Sequence, residues 1–412
     1  MITSQLLGVL RERLFANMVG VGPLLDVYNA SFRMPDLMLG VMASFVTSQA
    51  IMPLLYKHKQ ENAKNYEEYI SSLFIFFFVI MVLLSSLLFI SMPYILPFIV
   101  KGFTPEQLVS TVLYSRLLLV QPILLGMSYL ASAVAQSKNK FVLYGLGPIF
   151  YSLGIIVVFY FYYDKLGIIS AVYGAIIGAA LQALTQGIVL HKEKLYPSIN
   201  NFKLSYIKEH MRTAVPRSGS LIVSQGKLIY MTYLGSIIGA GAISIFALVQ
   251  KIYDVFTQLI ASSISTASLP QLSHAYTTGD KIKYKTIFKK MYFVILSLSI
   301  MASLAGYFFT REVVTLIYGN IKGQQEIVGL LKILFLVLPM ICLNWYMSAA
   351  CNSRRDTLRP FLSNCLALGA MIVSGQYFYY HNHGILSMVY ASIFAFLTSF
   401  ILLSYFSFKN KD

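Results

Sequence analysis

The stretch from Ile70 to Val100 reads ISSLFIFFFVIMVLLSSLLFISMPYILPFIV and contains no charged residue. A helix needs about 20 mainly apolar residues to cross a bilayer, so this stretch predicts a membrane-spanning helix. The whole chain of 412 residues has the same character, because 57% of it is hydrophobic and only 12% is charged. Soluble domains average about 25% charged residues. The composition therefore excludes a soluble enzyme, a disordered chain and a disulfide scaffold, and it predicts an all-helical polytopic membrane protein.

Apolar segments separated by polar loops predict twelve transmembrane helices. Their approximate bounds are 2–18, 25–54, 70–100, 108–135, 141–162, 167–190, 214–238, 242–273, 287–309, 327–351, 358–380 and 384–407. The first helix is short, so we expect that a partner element completes it or that the given start is clipped. It contains charges that do not suit a cleavable signal peptide. Cys342, Cys351 and Cys365 show no metal-ligand spacing and no disulfide pattern.

Positively charged residues are distributed unequally among the loops between these helices. Of the 32 Lys and Arg residues, 21 lie in loops after even-numbered helices or in the C-terminal tail, and 4 lie in loops after odd-numbered helices. Cytoplasmic loops carry an excess of Lys and Arg, so we predict that both termini are cytoplasmic. The formal net charge of +16 has the same origin in this interpretation, and we expect no nucleic-acid partner.

The chain resembles itself at an offset of 217 residues. Leu117, Leu119, Val120 and Pro122 return as Leu334, Leu336, Val337 and Pro339, and the aromatic run 160–163 returns as 377–380. The offset spans six helices, and an even number preserves orientation, so the halves are predicted to be parallel repeats with a substrate site between them, as in transporters. We predict an N-lobe over 1–190, a cytoplasmic linker over 191–213 and a C-lobe over 214–412. A duplicated scaffold without transport is the alternative.

Ionised residues within the spans are concentrated in helices 1, 2, 7 and 8, the first two of each half. A charge at membrane depth costs about 2.5–3.5 kcal/mol on insertion scales, which marks such residues as functional candidates. Helical spacing places them on one face of each helix. The candidates are Gln5, Arg11 and Glu12 in helix 1, Asp26 and Arg33 in helix 2, Lys227 in helix 7, and Lys251 and Asp254 in helix 8. We expect these faces to enclose a polar cavity around which the two lobes are arranged.

Two interpretations of this cavity stay open. The charges could form internal ion pairs that lock the helices together, or some cations could bind an anionic group such as a pyrophosphate, for which arginine offers fork-like donors. Outside the four helices only Arg116 and Lys332 lie within spans, where they are expected to snorkel or to pair.

Short motifs in helices 1, 2 and 8 carry a family likeness. They are SQLLGVLRE at 4–12, DVYNASFRMPDL at 26–37, IMPLL at 51–55, VQKI at 249–252 and LPQLS at 269–273. In these motifs the chain resembles the MurJ/MviN lipid II flippases of the multidrug, oligosaccharidyl-lipid and polysaccharide exporter superfamily. The resemblance implies a flippase that moves undecaprenyl-pyrophosphate-linked peptidoglycan precursor, lipid II, from the inner to the outer leaflet of the bacterial cytoplasmic membrane by alternating access.

The resemblance also implies site residues. Arg11 matches the second helix 1 arginine of the family, Glu12 matches the acidic position after it, and Asp26 matches the helix 2 aspartate. The chain departs from the pattern at four arginine positions, where it has Gln5, Leu39, Gly40 and Lys251. The family usually has fourteen helices, against about twelve here. Helices 7, 11 and 12 contain no carboxylate, so a sodium site of the kind that some members have there is not expected.

Three other functions are weighed against the flippase. An exporter of another lipid-linked oligosaccharide, such as a surface polysaccharide unit, suits twelve helices. A membrane glycosyltransferase needs a positioned acid, base or metal, which the loops do not offer. A cation or drug exporter usually has unpaired buried carboxylates. We therefore expect a monomeric transporter without enzyme activity, cofactor or metal, whose partners are membrane lipid and a lipid-linked glycan pyrophosphate.

Overall fold

The computed structural model describes residues 2–46, 48–354 and 356–409. Every regular element within these ranges is helical, which confirms the predicted all-α fold class. The helices are α1 (Ile2–Met18), α2 (Pro23–Ser31), α3 (Arg33–Phe45), α4 (Ser48–Glu61), α5 (Ala63–Ile99), α6 (Pro105–Leu118), α7 (Val120–Ser137), α8 (Phe141–Leu166), α9 (Ile169–Lys192), α10 (Leu204–Ile238), α11 (Ala242–Thr257), α12 (Ser263–Thr277), α13 (Lys281–Phe308), α14 (Thr310–Tyr318), α15 (Gln324–Ser353), α16 (Leu358–Tyr380) and α17 (Leu386–Lys409). A 3₁₀ helix covers Ile199–Asn201, and a π-helix at Gln258–Ser262 separates α11 from α12.

Ten helical stretches in the described ranges are long and apolar enough to cross a membrane. They correspond to predicted helices 3 to 12. Helix α1 has only 17 residues, and predicted helix 2 is divided into α2, α3 and α4. All twelve predicted positions are nevertheless occupied by one helix or by a divided run of helices.

Three of the predicted helices are divided in the structure. Helix 2 is interrupted at Phe32 and again after Phe45, helix 4 is interrupted at Leu119, and helix 8 contains the π turn. Predicted helix 7 differs at its start, because α10 begins at Leu204 rather than at residue 214. The first part of α10 therefore lies in the segment that was predicted to be linker.

Proline accounts for the first interruption of helix 2. Pro35 has no backbone N–H, so the carbonyl of Ser31 loses the donor that a continuous helix would provide. The hydroxyl of Ser115 in α6 donates to that carbonyl oxygen at 3.0 Å. A side chain from a neighbouring helix thus satisfies the acceptor that proline leaves open, as helix interruptions at membrane depth require.

Other prolines have the same kind of partner. In each case the carbonyl four residues before the proline accepts from a side chain on another helix. The pairs are Arg116 Nε with the Phe89 carbonyl before Pro93, Gln186 Nε2 with the Tyr144 carbonyl before Pro148, and Ser303 Oγ with the Phe335 carbonyl before Pro339, at 2.9, 3.2 and 2.6 Å. Arg116 is therefore a pairing residue, and its donor stabilises a proline position of α5.

The internal repeat is visible in paired cation–aromatic contacts. In the first half Lys138 lies 5.3 Å from the centre of the Tyr66 ring, and in the second half Arg354 lies 4.6 Å from the centre of the Tyr284 ring. Each tyrosine hydroxyl also contacts a serine beside the cation, Ser137 and Ser353 respectively. A second pair, Arg116 over Phe89 and Lys332 over Tyr307, follows the same pattern. All five pairs of corresponding positions agree with the 217-residue offset to within one residue, so the likeness extends to side-chain contacts.

The chain divides into two compact units. The first contains Met1–Val19 and Pro23–Thr232, and the second contains Gly20–Gly22 and Tyr233–Asp412. The boundary between them falls within α10, and the predicted lobes and linker stay a prediction.

Candidate functional site

The polar group of helix 1 lies in the first unit and is built around Arg11 and Glu12. Arg11 Nη2 contacts Glu12 Oε1 at 2.7 Å, and the two side chains are only 17% and 11% exposed. The Nε atom of Arg11 is buried and has no hydrogen-bond partner in the described part of the chain. Because a guanidinium has five N–H donors, the contact with Glu12 leaves donors on Arg11 that the site can use.

Neutral polar side chains surround this pair. Tyr28 of α2 and Tyr151 of α8 lie within electrostatic range of Arg11. Gln121 of α7 donates to the Tyr151 hydroxyl at 3.0 Å, and its own carbonyl oxygen is buried without a partner among the described residues. Charge patterning in the sequence gave no sign of these three residues, because none of them is ionised at neutral pH. Tyr28 and Tyr151 therefore lie near Arg11, and Gln121 is connected to Tyr151 by a hydrogen bond.

The apolar packing below the cluster fixes the position of α1. Phe15 is 1% exposed, and its ring contacts the rings of Tyr28 and Phe159 edge to face, with centroids 5.0 and 4.7 Å apart. Such aromatic pairs add about 0.5–1.5 kcal/mol beyond the burial of their area. Phe15 follows Arg11 by one helical turn, so this packing orients the charged face of α1.

Helix 2 contributes Asp26 and Arg33 to the same unit. Asp26 is 1% exposed. Arg33 begins α3, lies within electrostatic range of Asp36, and its Nε donates to the hydroxyl of Thr232 in α10 at 2.6 Å. Predicted helices 2 and 7 are therefore connected by a charge-assisted hydrogen bond, which is about twice as strong as a neutral one.

The remaining candidates of the first unit are more accessible. Gln5 is exposed on α1, and Lys227 is half-buried on α10. Gly40, at one of the positions where the resemblance expects arginine, lies against the side chain of Gln225. That side chain occupies the space into which an arginine at position 40 would extend.

The second unit holds the helix 8 candidates. Lys251 is exposed and Asp254 is half-buried, one turn apart on α11. The π-helix that begins at Gln258 follows directly. A π turn contains more residues than an α turn, and such insertions are frequent at functional sites. The convergence of Lys251 and Asp254 with Arg11 stays a prediction.

A second polar cluster ties the start of α10 to α4 and α5. His58 is 3% exposed and has Glu61 on one side, at 3.0 Å from Nδ1, and Glu209 on the other, at 3.1 Å from Nε2. Only the doubly protonated ring can donate to both carboxylates. Glu209 also pairs with Lys57 at 2.7 Å. Sequence analysis missed this cluster because its members come from two distant segments, the loop after predicted helix 2 and the predicted linker 191–213.

His210 completes the second cluster at the point where helix 2 is interrupted. Its Nε2 lies 3.0 Å from the carbonyl oxygen of Phe45, the last residue of α3, and its Nδ1 lies 2.9 Å from the Tyr69 hydroxyl. Donation from Nε2 to the carbonyl and from the tyrosine to Nδ1 satisfies every group with a neutral ring. Burial lowers the pKa of His210, which favours the same neutral form.

No group of three or more His, Cys, Asp or Glu side chains that could hold a metal ion occurs among the residues that the structure describes. Cys342, Cys351 and Cys365 form no disulfide within the same ranges, and the first two are buried.

Solved structures share this fold. The chain matches "Lipid II flippase MurJ, inward closed conformation" with a TM-score of 0.84 at 21% identity, over 99% of this chain and 86% of that one. It also matches an inward-facing multidrug resistance transporter of the MATE family with a TM-score of 0.82 at 13% identity, over 99% of this chain and 96% of that one. The chain therefore has the fold of these two proteins.

The family model described as lipid II flippase MurJ matches residues 15–412. The chain therefore belongs to the lipid II flippase MurJ family, which confirms the resemblance found in helices 1, 2 and 8.

Curated relatives agree with this membership. A "Probable lipid II flippase MurJ" of Buchnera aphidicola subsp. Acyrthosiphon pisum is 27% identical over 326 residues, which are 77% of this chain and 63% of the relative. A "Lipid II flippase MurJ" of Burkholderia cenocepacia is 23% identical over 337 residues, which are 79% of this chain and 65% of the relative. The chain thus spans less than two thirds of the length of these relatives.

Proposed function

We propose that the chain translocates lipid II, the undecaprenyl-pyrophosphate-linked peptidoglycan precursor, from the inner to the outer leaflet of the cytoplasmic membrane. The observation that carries this proposal is the family match over residues 15–412. The two lobes, residues 1–190 and 214–412, alternate their opening between the leaflets, and the segment 191–213 connects them on the cytoplasmic side. The fold shared with MurJ and with a MATE transporter supports such a mechanism.

In this proposal four cations bind the anionic headgroup. They are Arg11, Arg33, Lys227 and Lys251. The buried Nε donor of Arg11, which lacks a protein partner in the described ranges, supports a ligand-binding role over a purely structural ion pair. An unpaired buried donor costs about 1–3 kcal/mol, and a bound phosphate oxygen would recover that cost.

The acidic residues position these cations. Glu12 contacts Arg11 directly at 2.7 Å, Asp26 is buried on the adjacent α2, and Asp254 lies one turn after Lys251. Gln5, exposed on α1, contacts the polar part of the headgroup. A carboxylate near a cation offsets its charge at membrane depth. This lowers the free-energy cost of burying the cation.

The chain is a multi-pass protein of the bacterial inner membrane, as its family and the ten apolar helices within the described ranges indicate. We further propose that both termini are cytoplasmic and that the protein acts as a monomer. Its partners in this proposal are the lipid-linked glycan pyrophosphate and the surrounding membrane lipid, with no nucleic acid. Transport requires no bond to be made or broken, so we propose no catalytic residue.

Complementation tests the proposal. A bacterial strain depleted of its own lipid II flippase should regain growth when this chain is expressed, and the Arg11→Ala variant, present at the same level in the membrane, should not restore it. A chain that fails to complement this strain but rescues one that lacks a surface-polysaccharide exporter would establish the alternative substrate instead.

A further inference from the structure

Two contacts align α3 with α10 in the first unit. Arg33 Nε donates to Thr232 Oγ1 at 2.6 Å, and Gly40 lies against the side chain of Gln225. The two contacts are seven residues apart on each helix. The residue number rises from 33 to 40 on α3 and falls from 232 to 225 on α10. The two helices are therefore antiparallel neighbours, with one contact on each side of a two-turn interval.

Gly40 permits this close approach. A Cβ atom at position 40 would lie 2.7 Å from Gln225 Nε2 and 2.8 Å from Gln225 Cγ, so an alanine there would push the Gln225 side chain aside. The backbone of Gly40 is helical, so a turn does not explain the glycine. The absence of a side chain allows Gln225 to lie flat on α3.

The side chain of Gln225 is half-buried, and no hydrogen bond to its amide occurs among the described residues. A glutamine amide offers two donors and one acceptor with two lone pairs, and it carries no charge. Such a group suits a neutral polar partner, a sugar hydroxyl or an N-acyl amide, better than it suits a phosphate, which favours a cation.

We propose that Gln225 is a specificity-determining residue that contacts the sugar part of the lipid-linked headgroup, while Arg33 contacts its phosphates. This inference rests on the proposed function. Arg33 and Gly40 are separated by seven residues of α3, a rise of about 10 Å. That separation places the neutral contact beyond the charged one along α3, in the order in which a pyrophosphate and its sugar follow each other.

A binding experiment with two lipids tests the inference. The purified full chain in detergent is titrated with undecaprenyl-pyrophosphate-linked disaccharide and, separately, with undecaprenyl pyrophosphate alone. We expect Gln225→Ala to weaken the first affinity about threefold to tenfold, the effect of losing one neutral hydrogen bond, and to leave the second unchanged. Gly40→Ala, which forces Gln225 off α3, should give the same pattern. Gln60→Ala removes an exposed glutamine of α4 and should change neither affinity.

Other results would overturn the inference. If Gln225→Ala weakens both affinities equally, the residue has only a packing role between α3 and α10. If it changes neither, the amide does not contact the headgroup. If the wild-type protein binds undecaprenyl pyrophosphate and its affinity does not increase when the disaccharide is attached, the inference is rejected and the flippase proposal stands. A wild-type protein that binds neither lipid would reject the proposed function, and the inference with it.

Discussion

Arg116 contacts Phe89 through both a hydrogen bond and a cation–π interaction. The Nε of Arg116 donates to the Phe89 carbonyl oxygen at 2.9 Å, and its guanidinium carbon lies 4.6 Å from the centre of the Phe89 ring. Pro93, four residues after Phe89, removes the N–H that would otherwise bond this carbonyl. A charged residue within a span therefore has a structural role that depends on one proline.

This relationship predicts that Arg116→Ala destabilises the protein by about 1–2 kcal/mol, since it removes a charge-assisted hydrogen bond inside a helix bundle. The same change in a Pro93→Ala background should cost about 1 kcal/mol less, because the backbone N–H that the substitution restores then bonds the carbonyl. Unfolding of the four proteins in detergent measures the coupling.

Lys332→Ala is the matched control, because Lys332 lies 5.5 Å from the centre of the Tyr307 ring and removal of its cation should cost the same with and without Pro93. An Arg116→Ala cost that is identical in both backgrounds would contradict the assigned role.

Arg11→Ala and Lys251→Ala should each abolish flipping while leaving membrane insertion intact. Removing Arg11 leaves Glu12 buried without the cation at 2.7 Å, and loss of a charged contact of about 1.5–3 kcal/mol corresponds to a reduction in headgroup affinity of tenfold or more. Lipid translocation by reconstituted protein measures the effect, and membrane fractionation checks the insertion. Full activity of both variants would refute the assignment of the anion site.

Alternating access predicts a change of accessibility at Gln5 and Gln258. Both side chains are exposed, and they belong to different units. Single cysteines at these positions, in a chain whose three native cysteines are replaced by serine, should change the membrane side from which they are labelled when the lipid substrate is added. A cysteine at Ile199, 81% exposed outside the spans, should label from one side throughout. Labelling at positions 5 and 258 that does not respond to substrate counts against the mechanism.

His210 predicts an acid-sensitive stability. Burial lowers its pKa from an ordinary value of 6.5, so the unfolded chain binds the proton more readily than the folded one. Stability is then fully present above pH 6.5 and is lost as the pH falls through the lowered pKa, with a slope of at most about 1.4 kcal/mol per pH unit. His210→Gln should remove this slope, while its neighbours His58, Glu61 and Glu209 are left unchanged. The same slope in the variant would assign it to those neighbours.

Helix positions followed from the sequence because apolar length and loop charge are properties of the chain itself. Helix α1 and helix α16 have the predicted bounds to the residue, Ile2–Met18 and Leu358–Tyr380. The sequence contains Pro35 but does not predict the interruption of helix 2. Proline is tolerated in a membrane helix wherever a neighbour such as Ser115 supplies a hydrogen-bond donor. The π turn after Thr257 has no signature in the apolar pattern.

The sequence could predict mainly the charged residues of the site. Arg11 and Glu12 form an ion pair and Asp26 is buried, but Tyr28, Gln121 and Tyr151 are neutral and give no periodic charge signal. The Gly40–Gln225 contact depends on two segments separated by more than a hundred residues, so neither position shows by itself why the other is present.

The measurement that tests the account most directly is the leaflet exposure of lipid II in cells where this chain is the sole candidate flippase. The account predicts that lipid II becomes accessible to an external probe when the wild-type chain is expressed, and that Arg11→Ala, inserted at the same level, leaves it inside. Wild-type protein that is stably inserted while lipid II stays on the inner leaflet would contradict the central claim.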